Sequence, residues 1–171
     1  MGLEAESDRR RRFEELAAEV TEPVRRFLAR RTDPDTADDV LADTLLVLWR
    51  RLDDVPAGDG ALPWTYAVAR NALANAERGA RRQRRLAHRI RVTDPPVEAV
   101  PEEPEADDRV SSALSRMRPD EAELLRLWAW EQLGPAEIAT VLDLTPNAVS
   151  IRLHRARGRF REIFESSDPE M

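Results

Sequence analysis

Residues 132–161 read QLGPAEIATVLDLTPNAVSIRLHRARGRFR, and two helix signals, one short and one long, stand there on either side of a tight turn. The short one runs from Pro135 to about Leu142. Proline suits a first helical turn, where its missing N–H has no partner to lose. Gly134 is then the cap, with Glu137 placed to reach back to it. The long one begins with the same grammar, Thr145 as cap and Pro146 as first residue. Between them Asp143 must end a helix, a position where Asp tolerates left-handed backbone less well than Gly. Val149, Leu153, Ala156 and Phe160 form one apolar stripe at i, i+4, i+7, i+11. Arg152, Arg155, Arg157, Arg159 and Arg161 lie off it, and no acid occurs between Pro146 and Arg161. Spacing alone leaves two readings open, a helical hairpin with a solvated Arg face or a helix-turn-helix that enters a DNA groove. The paired helix starts, the turn length and the one-signed charge point to the second.

The surrounding composition narrows the class. The chain has 171 residues, room for one domain or two small ones, and with 35% charged and 5% aromatic residues each core must be small. No run of 18 apolar residues exists, so no membrane span is expected, and the Arg-rich, acidic N-terminus lacks the apolar core of a signal peptide. The absence of cysteine excludes disulfides, thiol switches and Cys-based zinc sites, and fits a reducing cytosol. All 27 basic residues are Arg. Net charge is −6, yet it is unevenly spread: residues 70–91 hold eight Arg against Glu77 alone, and residues 93–108 hold seven acids and no base.

Upstream, Phe13, Leu16, Ala17 and Val20 make a helical stripe that Val24, Phe27 and Leu28 resume after Pro23. This predicts a helix broken or kinked at the proline, with a frayed chain before about Asp8. Asp33-Pro34 restarts a helix to about Leu52 with the stripe Leu41, Leu45, Leu48 and Leu52, while Leu46 and Trp49 point elsewhere. That surplus apolar face is either core or a partner surface. A loop at 53–60 follows, then ALPWTYAVARNALANAERGARRQRR (residues 61–85), a helix with small residues at Ala67, Val68, Ala72 and Ala76 for close packing. Its Trp64 and Tyr66 precede an Arg block, the ingredients for stacking unpaired bases beside phosphate contacts, although Trp64 also suits a core. Prolines 95, 96, 101 and 104 with the acids make residues 89–108 a linker without a packed core. Helices are expected again from Val110 and from Pro119, which with the helix-turn-helix make a four-helix domain and a loose tail after Glu165.

No catalytic set appears. His88 and His154 stand alone in Arg-rich helices, and no glycine loop could cradle a nucleotide.

In this order the pieces resemble bacterial RNA polymerase sigma factors, in particular the small two-domain extracytoplasmic-function kind, group 4 of the sigma-70 family. EIATVLDLTPNAVSIRLHRARGRFR (137–161) is similar to region 4.2, TADDVLADTLLVLWR (36–50) to region 2.2, and residues 61–85 to regions 2.3 and 2.4. The resemblance implies an all-α fold of two domains. Residues 8–91 would bind core polymerase and recognise and melt the −10 element, 92–108 would be a flexible acidic linker threading the polymerase channels, and 109–165 would read the −35 element. It implies a non-enzymatic, cytoplasmic initiation factor without cofactor or metal. Its partners would be core RNA polymerase, promoter DNA that is duplex at −35 and single-stranded at −10, and an anti-sigma factor. Core contacts would come from Asp43, Thr44, Leu46, Val47, Trp49 and Arg50. The −10 contacts would come from Trp64, Tyr66, Arg70, Asn71, Asn75, Arg78, Arg81, Arg82, Arg84 and Arg85. The −35 contacts would come from Thr145, Asn147, Ser150, Ile151, Arg152, His154 and Arg155. Two departures bear on the last set: position 143 lacks the usual Gly, and Ser150 stands where a basic residue is common. A sigma-like decoy for an anti-sigma factor would have no use for two Arg clusters. A stand-alone helix-turn-helix regulator would leave Leu46 and Trp49 without a role.

Overall fold

The computed structural model describes residues 2–90 and 106–166, with side chains from 6–86 and 109–166. The regular elements there are all helical: α1 (Gly2–Ala29), α2 (Pro34–Arg50), α3 (Ala61–Ile90), α4 (Ala106–Ser115), α5 (Pro119–Ala129), α6 (Pro135–Leu142) and α7 (Pro146–Glu165). Two single 3-10 turns, Leu52–Asp54 and Gly58–Gly60, fill the passage from α2 to α3. The all-α expectation holds. Helices α1, α2 and α3 build one compact unit, and α4, α5, α7 and the first turns of α6 build a second. Most of the expected linker, 92–105, and residues 167–171 of the expected loose tail lie outside the described residues; α4 already begins at Ala106.

In the first unit Val20, Val24, Phe27 and Leu28 of α1, Val40 and Leu48 of α2, and Ala69 of α3 are fully enclosed. Full burial of each large aliphatic or aromatic side chain here contributes about 1.5–3 kcal/mol. Of the two expectations for Pro23, a break or a kink, the break is corrected by that seam: α1 runs as one helix through the proline. The ring costs one backbone hydrogen bond, but residues 20, 24, 27 and 28 anchor both sides of it against α2 and α3. The helix itself begins at Gly2, ahead of Asp8.

Helix α2 begins as its sequence dictates. The Asp33 carboxylate accepts from the Thr36 N–H at 3.0 Å with Pro34 in the first turn. That backbone bond, first among its causes, holds the Asp33 carboxyl below the usual 3.8. The helix ends at Arg50, so Leu52 reaches the core from the 3-10 turn. Within α2 the buried seam is Ala37, Val40, Leu41, Thr44 and Leu48. Thr44 takes the place expected of Leu45, its hydroxyl satisfied by donating to the Val40 carbonyl at 2.7 Å. In α3 the enclosed residues are Ala61, Pro63, Thr65, Tyr66, Ala69 and Leu73, while the expected packing set Ala67, Val68, Ala72 and Ala76 is half-buried. The seam is displaced because Tyr66 inserts against Phe27, ring centres 5.0 Å apart.

The second unit packs Ala113 and Leu114 of α4, Met117 beyond it, Leu124 and Leu127 of α5, and Val149, Leu153, Ala156 and Ile163 of α7. Both helix starts of the central motif are built as expected. The Glu137 carboxylate accepts from the Gly134 N–H at 2.7 Å, and the Thr145 hydroxyl accepts from the Ala148 N–H at 3.2 Å. Asp143 carries the left-handed turn, φ 54° and ψ 52°. Ending a helix on Asp instead of Gly costs backbone strain, and it fixes the angle at which α7 leaves α6.

Candidate polymerase and nucleic-acid interfaces

Three surfaces can be built upward from these helices. On α2 the residues facing out are Asp43, Leu46 and Arg50, with Val47 half-buried beside them. Leu46 is 51% exposed, the apolar centre of a charged rim. Thr44 does not belong to this surface; its side chain points into the core, and it leaves the expected contact set for that reason. Trp49 is only partly available. Phe13 meets its ring edge-on at 5.3 Å, and the Arg9 guanidinium stacks on it at 5.2 Å while donating to the Trp49 carbonyl at 2.7 Å. Arg9 and Arg12 both reach the Asp53 carboxylate, at 3.0 and 3.2 Å. Hydrogen bonds from Arg12 and then Arg9 hold the Asp53 carboxyl below its ordinary 3.8. The first turns of α1 are thus a clasp over the end of α2. Sequence reading missed it, because residues so far apart along the chain carry no common periodic signal.

The second surface is the outer side of α3. Asn71, Asn75, Arg78, Arg82 and Arg85 recur at i, i+4, i+7, i+11, i+14, one face of the helix, and all are exposed. Arg70, Arg81 and Arg84 form a neighbouring row, and Arg81 pairs with Glu77 at 3.4 Å. The Asn75 side-chain carbonyl accepts from Arg78. Trp64 is half-buried, and the Arg51 guanidinium lies 5.2 Å over its ring, held also by Asp54 at 2.9 Å. Tyr66 is a correction. At 3% exposure, packed on Phe27, it cannot stack a base and serves the core.

The third surface belongs to α7. Thr145, Asn147, Ser150, Ile151, Arg152, His154 and Arg155 are all exposed. The Thr145 hydroxyl is committed as a cap. The Ser150 hydroxyl donates to the Pro146 carbonyl at 3.0 Å, so it offers neighbours its acceptor lone pairs. Ile151 is 46% exposed, an apolar group able to meet a thymine methyl. Among the described residues Arg152 and Arg155 have no carboxylate within ion-pair reach, so this face carries unneutralised charge. Beside it, between α4, α5 and α7, lies an apolar cavity of about 330 Å³ lined by Val110, Leu114, Leu125, Trp128, Phe160 and Phe164. The stripe of α7 names Phe160 but not the cavity, because Trp128 reaches it from α5, ahead of the motif. No group of three or more potential metal ligands occurs among the described residues.

Comparison with known proteins adds the following. The family described as Sigma-70, region 4 matches residues 107–160. The RNA polymerase sigma factor CarQ of Myxococcus xanthus is 30% identical over 162 residues, 93% of this chain and 92% of that protein. The ECF RNA polymerase sigma factor SigL of Mycobacterium tuberculosis is 30% identical over 130 residues, 72% of each. In structure, the chain is similar to the sigma factor RpoE of Bartonella quintana, solved with the anti-sigma factor NepR. The TM-score is 0.67 at 19% identity, covering 91% of this chain and 98% of that one, a likeness of fold.

Proposed function

Since this chain belongs to the extracytoplasmic-function RNA polymerase sigma factors, we propose that its three surfaces divide the work of such a factor among them. A sigma factor is an initiation factor, not an enzyme: it binds core RNA polymerase and directs it to promoters, and the polymerase does the chemistry. In our reading Asp43, Leu46, Val47 and Arg50, with the free edge of Trp49, meet core polymerase. The Asn71, Asn75 and Arg row of α3, with Trp64 at its start, takes the −10 strand. The exposed face of α7 from Asn147 to Arg155 enters the −35 major groove. Residues 8–91 and 109–165 are then the two working domains, and 92–108 is the acidic link. We place the protein in group 4 of its family and in the cytoplasm. We also assign it an anti-sigma partner, on the strength of the complex in which RpoE was solved.

The observation that carries this reading is the face of α7: an unneutralised row of Arg, flanked by Ser150, Ile151 and His154, on a helix whose start is fixed by an intact cap. A solvated hairpin does not require its charge to be of one sign, whereas a phosphate-lined groove does. The test is to add the purified chain to core polymerase on genomic DNA and sequence the 5′ ends of the transcripts. A new set of start sites sharing two spaced upstream elements is expected. Core binding without any such start sites would mark the chain as a decoy.

A further inference from the structure

We propose that Arg157, held over the ring of Trp128, clamps a backbone phosphate beside the −35 element, with Trp128 as the residue that positions it. This rests on the reading of α7 as the −35 helix and extends that helix's contacts past Arg155. Arg157 stands three residues after His154 and seven after Ser150, so the three share one side of α7. That side forms one wall of a groove whose other wall is Trp128, Gln132 and Gly134. The Arg157 guanidinium lies 4.7 Å from the Trp128 ring centre. Trp128 is 40% exposed, unusual for a tryptophan in a unit this small, and that exposure leaves it open to the cation. A cation–π contact engages the charge of a guanidinium without consuming its N–H donors, which stay available to phosphate oxygens. The aromatic floor also removes rotamer freedom that an unsupported surface Arg would lose on binding. Among the described residues Arg157 has no carboxylate in ion-pair range, whereas Arg159, two residues on, pairs with Glu162 at 3.7 Å. Arg157 therefore keeps its full charge available at the groove, as Arg152 and Arg155 do on the adjoining face.

The experiment uses complete holoenzyme, core polymerase with the full chain, on a promoter fragment bearing its −35 element. Affinity is measured across a salt series, and affinity for core polymerase separately. Arg157→Gln is expected to weaken promoter binding about tenfold, the size of a lost charge-assisted bond pair, and to lower the salt slope by about one. Trp128→Leu should reproduce much of both losses, Trp128→Phe should restore them by returning a ring face, and Trp128→Leu with Arg157→Gln should be no worse than Arg157→Gln alone. A merely structural tryptophan would lower thermal stability and leave the salt slope unchanged, which would overturn the positioning role. Loss of core-polymerase affinity in Trp128→Leu would also overturn it, by assigning the ring to a protein contact. If unmodified holoenzyme shows no preference for the −35 element, the reading beneath fails and this inference with it. If it does show that preference and Arg157→Gln keeps the parent's affinity and slope, the clamp alone is overturned.

Discussion

At the scale of single residues, exposure decides which of the motif positions can touch a partner. Leu46 is half open in the middle of a charged rim, so Leu46→Asp should abolish core-polymerase binding while circular dichroism and melting stay those of the parent. Unchanged affinity in the folded variant would remove α2 from the interface. Arg155→Ala should cost about 1–3 kcal/mol of −35 discrimination, the range for one lost base contact, read as weaker transcription from promoters with that element. Equal transcription would mean the wrong side of α7 has been assigned. Acid should act through two residues. The carboxyls of Asp33 and Asp53 are both held below 3.8, so their stabilisation is present above that pH and is lost as pH falls through their lowered values. The cap of α2 and the clasp of α1 should therefore weaken only below about pH 4. Residue types were well read where the signal was local: Asp33, Gly134, Thr145 and Asp143 all do what their neighbours in sequence demanded. Thr44 and Tyr66 were misplaced because what fixes them is not local. A threonine enters a core when its hydroxyl can bond back along its own helix, and a tyrosine enters when a phenylalanine from another helix waits for it.

Elements follow the same division. Boundaries set by caps and prolines were legible to within a residue or two for α2, α5, α6 and α7. Helix α1 was not, because the penalty at Pro23 is visible in sequence whereas the packing that outweighs it comes from α2 and α3. The seam of α3 is one position away from the expected one for a related reason. A stripe of alanines has almost no preference among faces, and Tyr66 sets the rotation. For α3 the prediction concerns the Arg rows. Replacing Arg81, Arg82, Arg84 and Arg85 with Gln should slow open-complex formation and flatten its salt dependence, because each phosphate contact releases counterions. Asn75→Ala should instead change which −10 sequences are used. An equal loss on every promoter would contradict a reading role for Asn75.

For the whole molecule, the chain joins two small helical units by a segment whose charge is opposite to that of the surfaces it connects. Seven acids fall in residues 93–108, between the Arg rows of α3 and the face of α7. If charge matters there as well as reach, a Gly-Ser segment of equal length should bind core polymerase more weakly and shift the ratio of abortive to full-length RNA. Identical values would leave only a tether. The central claim is that two surfaces on separate units meet one promoter at two places, and the sequence itself offers a clean way to test it. The chain has no cysteine, so Ser150→Cys on α7 and Ala80→Cys on α3 each create a single attachment point for a DNA-cleaving reagent. In holoenzyme on one promoter, the account predicts cleavage from position 150 confined to the duplex −35 element. From position 80 it predicts cleavage confined to the −10 region beside the start site. Overlapping cleavage from both positions, or none from position 150 while core polymerase is bound, would contradict it.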